Sequence, residues 1–326
     1  MIKIDLITGF LGSGKTTFLK KYAKHYIDQG QKIGILENDH GAINVDMLLL
    51  NELRSDNCEL EMVAGGCDAD CHRRRFKTKL IAMGMAGYDR VIVEPSGIFD
   101  VDEFFDALRE APLDKWYEIG NVIAIVDANL SPDISPQSDF LLASQVACAG
   151  AIVLSRTQEV DEAGIEEVAE HIRRAAERID CNRDLRSLMV AKPWDEFTEG
   201  DMQDLESCGY KASDYIKLRF REEFSAVYFL DYSIDTDELV GKIKRLFDSE
   251  FTSEMGIGRV FRVKGFLETK DGSWQELNAN ADGISIEPIE VGQKVFIVIG
   301  EGLDEGRLRE YMKAGGLVPG LTDDIS

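Results

Sequence analysis

The sequence predicts an α/β protein, a mainly parallel sheet covered by helices, followed by a small C-terminal α+β domain. Three observations predict it. Apolar, β-branched runs at Ile2–Thr8, Lys32–Glu37, Arg90–Glu94, Val122–Asp127, Ala151–Ser155 and Ser187–Lys192 alternate with helical patterns, as strands do in a parallel sheet. After about residue 224 strands follow one another with helices set apart, the order of an α+β unit. The 326 residues exceed the roughly 100 to 200 of one typical domain.

Within the first unit, two helices are clear. Residues 14–30 place Phe18, Leu19, Tyr22, Tyr26 and Ile27 on one face and end at Gly30. Residues 161–179 carry Ile165, Val168, Ile172 and Ile179 on one stripe. Periodicity is lost in a polar stretch that begins at Trp194, so the expected division is 1–200 for the first domain, 201–223 for a linker and 224–326 for the second domain. The second domain reads as a strand at 225–232, a helix at 235–248, strands at 259–269, 273–279, 283–289 and 294–300, and a last helix at 304–315.

Composition removes several function classes. Sixty acidic against 37 basic residues give a net charge of −23, which repels a phosphate backbone and excludes nucleic acid as a general partner. The N-terminal run enters glycine after a short strand, without the apolar stretch of a secretory signal. No run approaches the ~18 apolar residues of a membrane helix, so no membrane association and a cytoplasmic location are expected. Six cysteines, at 58, 67, 71, 148, 181 and 208, are too sparse for a disulfide scaffold and suit a reducing compartment.

The chemistry begins at "GFLGSGKTT". Gly9 to Thr16 match G-x-x-x-x-G-K-[ST] between an expected strand and an expected helix, the context a P-loop requires. Backbone N–H groups around Gly9, Gly12, Ser13, Gly14 and Thr17 wrap phosphates, Lys15 reaches the β and γ oxygens, and the Thr16 hydroxyl binds Mg²⁺. The fold class is therefore that of a P-loop NTPase. "EPSG" at Glu94–Gly97 ends the strand expected at 90–94; its carboxylate can hold Mg²⁺ through water and its glycine N–H can sense a γ-phosphate. Base recognition falls to Ser155, Arg156 and Gln158 after the strand "AIVLS". A neutral Gln158 accepts the guanine N–H protons less strongly than a carboxylate, so GTP is the expected nucleotide with ATP as the alternative, and Arg156 is a candidate to stack on the base.

These residues resemble the CobW family of P-loop GTPases, near the HypB and UreG nickel-handling proteins. "GFLGSGKTT" is similar to the family P-loop, "ILENDHGAINVD" to its E-N-E-F-G segment with Glu37, Asn38 and Gly41 retained, and "EPSG" to its E-T-T-G. "GRVFRVKGFL" and "KVFIVIGEGLD" resemble its C-terminal domain. The resemblance implies GTP hydrolysis with Mg²⁺, and the handling of Zn²⁺, Co²⁺ or Ni²⁺ for a client metalloenzyme or a cofactor-dependent enzyme, with nucleotide-dependent homodimerisation. It also implies Glu37 or Asp39 as the group that orients attacking water, beside Lys15, Thr16 and Glu94.

The family's C-x-C-C metal motif is replaced here by "GGCDADCHRRR". Cys67 matches the first cysteine, whereas Ala69 and Asp70 stand at the next two positions and Cys71 follows one residue late. Cys67, Cys71 and His72, with Glu37, Asp39 or His40 completing the shell, contain donors for a tetrahedral site of a borderline-soft metal. A redox pair and a polar structural loop remain the other readings; C-x₃-C is not the C-x-x-C of thiol–disulfide centres. Arg73, Arg74 and Arg75 read as a solvated face paired with carboxylates, and His25 and His171 as exposed helix residues. Four histidines in all leave no histidine-rich metal store. Two rivals to a metallochaperone remain: a metal-free GTPase that gates cofactor loading, such as a corrinoid, and a P-loop small-molecule kinase.

Overall fold

The computed structural model describes residues 1–38, 50–63, 69–99, 101–212, 224–230, 232, 234–269, 271–281, 283–289, 292 and 294–313. The chain forms two compact units, Met1–Arg219 and Phe220–Ser326.

The first unit is built on β1 (Ile2–Thr8), α1 (Lys15–Asp28), β2 (Ile33–Asn38), β3 (Cys58–Val63), α2 (Ala69–Gly84) and β4 (Arg90–Pro95). It continues through α3 (Val101–Arg109), α4 (Leu113–Trp116), β5 (Tyr117–Asp127), α5 (Pro136–Ala147), β6 (Ala151–Ser155), α6 (Glu162–Arg178), β7 (Met189–Val190) and α7 (Glu199–Glu206). Its seven strands lie in the order β3-β2-β4-β1-β5-β6-β7, and every pair is parallel. Both faces of the inner strands are buried, which is why they read as continuous apolar runs; the edge strand β3 exposes Glu59 and reads as no such run. Alternation still sorts the inner strands: Ile4, Leu6, Val91 and Val93 face a core with Phe76, Phe104, Leu142 and Ile172. Ile7, Ile35, Ile92 and Val153 face Phe18, Tyr22, Met202 and Leu205.

Met202 and Leu205 belong to the stretch expected as a linker. Instead, Thr198 and Asp201 form a reciprocal cap that starts α7, and the helix buries its two apolar residues in the first unit's core. Beyond it, the Gly209 carbonyl accepts from the Val122 N–H at 2.9 Å, and Lys211 N–H donates to Cys148 O at 3.1 Å. A helix of eight residues with a single apolar stripe leaves too little period to distinguish it from a polar loop by sequence. Of the expected strand at 187–192, only Met189–Val190 pair with the sheet.

The second unit contains β8 (Phe224–Leu230), α8 (Thr236–Arg245), α9 (Ser249–Met255), β9 (Arg259–Glu268), β10 (Trp274–Asn280), β11 (Gly283–Ile289), β12 (Val295–Glu301) and α10 (Glu305–Met312). Its sheet runs β11-β10-β9-β12-β8 with antiparallel pairs throughout. Leu239, Ile243, Phe251 and Leu308 from the helices pack on Val227, Val263, Leu277 and Val298 of the strands. Phe229 and Phe296 stack at 4.5 Å. This is the α+β unit expected, with α9 as an addition capped by Asp248. No helix among the described residues is long and apolar enough to cross a membrane.

Candidate nucleotide site

The site sits at the carboxyl ends of the parallel strands, where open α/β sheets bind ligands. β1 ends at Thr8, and the chain turns through Gly9, Gly12 and Gly14, with φ of 146, 77 and 92°, before α1 begins at Lys15. Gly14 in this left-handed conformation precedes a helix with no side-chain cap, so the first-turn N–H groups stay directed at the space in front of the loop. Lys15 is buried and its Nζ lies 3.3 Å from the Phe10 carbonyl, which folds the ammonium back over the loop.

Thr16 Oγ1 donates to Glu94 Oε1 at 2.7 Å. Glu94 is the register partner of Glu37 on the adjacent strand, and both are buried. Two buried carboxylates on neighbouring strand ends beside a hydroxyl form a hard-oxygen set suited to a divalent cation. The residues present therefore fit Mg²⁺: Thr16 and Glu94 would hold it, and Glu37 lies next in line.

The remaining polar groups fit a nucleotide. The hydroxyls of Thr8, Ser13, Ser155 and Thr157 are buried without a hydrogen-bond partner among the described residues. Ser13 lies on the P-loop, Thr8 at the strand end that feeds it, Ser155 at the end of β6 and Thr157 on the turn that follows. Leaving a buried donor unsatisfied costs about 1–3 kcal/mol, so their collection at one sheet end marks a place built for a polar ligand.

Arg156 has two contacts that the sequence did not foretell. Its backbone is left-handed, with φ 53°; its guanidinium pairs with the Asp127 carboxylate and donates to Gly12 O at 3.2 Å. It thus ties the turn after β6 to the P-loop, with its charge paired to Asp127. Gln158 is exposed on the following 3₁₀ turn, and Thr17 is exposed on α1.

Gly97 requires the absence of a side chain for space: a Cβ there would come within 2.5 Å of Leu11 N. Its backbone is pressed on the P-loop, while Gln145 Nε2 on α5 donates to its carbonyl at 3.1 Å. Trp194 backs the loop from another side. Its ring would meet a Cβ at Gly14 at 3.1 Å, its Nε1 donates to Leu154 O at 2.9 Å, and it packs edge-on against Phe18. Asp127, Gln145 and Trp194 were missed by sequence reasoning. A carboxylate ending the apolar run Val122–Asp127 was a usable signal, and so was a glutamine inside an apolar helix; Trp194 gave none within its polar stretch.

The candidate transition-metal residues are only partly described. Asp39, His40 and Cys67 lie outside the described residues, and Cys71 and His72 fall in the first turn of α2. Among the described residues no group of three or more His, Cys, Asp or Glu could hold a metal ion. Arg73 pairs with Glu110 at 3.0 Å.

The two histidines expected to be exposed are buried. His25 lies 3.1 Å from Glu206 on α7, and His171 on α6 lies 2.7 Å from Asp139 on α5; each joins two helices whose charged flanks concealed the contact in sequence. His25 borders a second buried polar group. Asp5 Oδ2 accepts from Arg90 at 2.6 Å and from Tyr22 at 2.9 Å, and Asp5 Oδ1 accepts from Asn121 N–H at 2.8 Å. Asn121 Nδ2 donates to the Glu206 carbonyl at 2.9 Å. Burial pushes the Asp5 carboxyl up against the downward pull of Arg90, and pushes the Cys208 thiol beside this group to about 12.

A protein-family model described as the CobW/HypB/UreG nucleotide-binding domain matches residues 3–182. Among curated proteins, the zinc chaperone YeiR of Escherichia coli is 29% identical over 48% of this chain and 47% of its own. The zinc chaperone YjiA of the same organism is 29% identical over 50% of this chain and 51% of its own. The zinc-regulated GTPase metalloprotein activator 1 of Dictyostelium discoideum is 25% identical over 81% of this chain and 62% of its own. The chain spans about half the length of the first two.

Proposed function

The chain belongs to the CobW/HypB/UreG family, and from that premise we propose that it is a GTP hydrolase whose nucleotide state governs delivery of a transition metal, zinc first, to a client protein. The observation that carries the reading is the assembled phosphate and cation end: the Gly9–Thr16 loop, the Thr16–Glu94 contact at 2.7 Å and the four buried hydroxyls without partners among the described residues.

Lys15 and the loop N–H groups hold the β and γ phosphates and oppose the charge that develops on them. Thr16 and Glu94 fix the cation, directly or through water. Held by Thr16 and Glu94, Mg²⁺ would supply neutralisation of the negative charge on the phosphates. Glu37, on the strand next to Glu94, is the described candidate to orient attacking water, and Asp39 its alternative two residues on. Gly97 reads the γ-phosphate through its N–H.

Coupling to metal follows from the path of the chain. β2 and β3 are parallel neighbours, so Glu37 and Val63 end at the phosphate end of the sheet, and Cys67 follows Val63 by four residues. Cys67, Cys71 and His72 are the proposed zinc donors, with Glu37 or His40 joining them. The kinase alternative loses ground to the family match, and metal-free gating of cofactor loading remains the rival.

The test is a titration with Zn²⁺ and Co²⁺ against a competing chelator, under reducing conditions, with GDP or GTPγS and Mg²⁺. Wild type should bind with an affinity that changes between nucleotides, and the Cys67→Ala, Cys71→Ala double variant should lose the binding. Binding that is absent in wild type, or indifferent to nucleotide, would leave the metal-free rival.

A further inference from the structure

Gln145 is fully buried on α5, among Leu141, Leu142, Val146 and Ala147, which are buried as well. An apolar side chain of the same length would suit that face better, since an amide brought out of water must recover its hydrogen bonds. It recovers only part of them. Because the Gly97 carbonyl can only accept, the amide nitrogen is the end that faces it, at 3.1 Å. Oε1 is left buried without a hydrogen bond among the described residues. The side chain thus retains a polar head at a site whose one described partner is the backbone of Gly97.

Gly97 itself is held from two directions. On one side the P-loop backbone at Leu11 leaves no room for a Cβ; on the other, Gln145 holds the carbonyl. The carbonyl that Gln145 holds belongs to the 97–98 peptide and the Gly97 N–H to the peptide before it; the two planes meet at the Gly97 Cα, so fixing the first restricts the orientation of the second. Oε1 is a ready acceptor for a donor that arrives when that orientation changes.

We propose that Gln145 is a positioning residue that sets the Gly97 peptide for the γ-phosphate, so that helix α5 responds to triphosphate and not to diphosphate. The proposal rests on the nucleotide reading of this site and adds to it a residue outside both the P-loop and the Glu94–Gly97 motif. It predicts a selective defect: removal of the amide weakens recognition of the third phosphate and spares the grip of the P-loop on the first two.

The experiment compares wild type with Gln145→Met, which keeps the length and removes the amide, and with Gln145→Leu, which removes the donor to Gly97 with a shorter apolar side chain. Affinities for GDP and GTPγS with Mg²⁺, GTP turnover and thermal unfolding are measured on the full chain. GDP affinity should stay within about twofold, while GTPγS affinity and turnover number fall about tenfold, the scale of one neutral hydrogen bond. Thermal unfolding of Gln145→Met should hold or rise. If wild type prefers GTPγS and both variants keep that preference, the role of Gln145 is refuted and the nucleotide reading stands. Equal loss for GDP and GTPγS would make it a packing residue and refutes the role as well. A wild type that binds neither nucleotide overturns the nucleotide reading, and this inference with it.

Discussion

The two ends of the parallel sheet in the first unit both bury polar side chains, and they do so on opposite terms. Towards the amino ends of β1, β4 and β5, Asp5, Tyr22, Tyr26 and Asn121 are bonded to one another, to Arg90 or to backbone; Arg90 also lies 4.2 Å over the Tyr26 ring. At the carboxyl ends, four hydroxyls have no partner among the described residues. Burial alone therefore does not mark a site. Hydrogen bonding is close to complete in the first group, where Arg90 Nε alone lacks a partner among the described residues, and open in the second; that difference in degree separates polar groups that hold the fold from those that wait for a ligand.

The contrast breaks most visibly at Asp5. Asp5→Ala leaves the Arg90 charge buried without its carboxylate, a change that costs about 3–5 kcal/mol and lowers the melting temperature by roughly 10 °C. Calorimetric unfolding should show that fall, with nucleotide affinity unchanged in the folded fraction. Lys15→Ala should do the reverse, reducing GTP turnover at least about a hundredfold with little change in unfolding. A variant at either end that shows the phenotype of the other would end the distinction.

Ligand addition sharpens it. Nucleotide at ten times its dissociation constant should stabilise the first unit by about 1.4 kcal/mol, a rise of a few degrees in melting temperature. Asp5→Ala should show the same increment from its lower baseline. The smallest effect concerns Cys208, whose thiol burial raises to about 12. A raised value keeps the thiol protonated at pH 8, so alkylation at that pH, followed by peptide mass analysis, should leave Cys208 unmodified until the chain unfolds.

The carboxyl-end site was largely legible because phosphate chemistry depends on local order. Gly9–Thr16 and Glu94–Gly97 are short, contiguous, and sit at strand ends that the apolar pattern had already located. The amino-end group was invisible for the opposite reason: Tyr22, Arg90 and Asn121 lie 17, 85 and 116 residues from Asp5 in sequence, and each alone reads as an ordinary strand or helix residue. Likewise nothing local tells that Arg156 will pair with Asp127, 29 residues earlier. The boundary of the first unit moved past residue 200 because α7 buries only Met202 and Leu205, too few positions to reveal a period. The second unit was legible in its strand order, since its strands are separated by turns and pair with near neighbours, β9 with β10 and β10 with β11.

The most direct test of the central claim is calorimetric titration of the full chain with GDP and with GTPγS, each with Mg²⁺, in wild type and Lys15→Ala. Saturable binding of one nucleotide per chain that is lost in Lys15→Ala is the predicted result. No binding of either nucleotide to wild type at millimolar concentration, or binding that survives in Lys15→Ala undiminished, would contradict it.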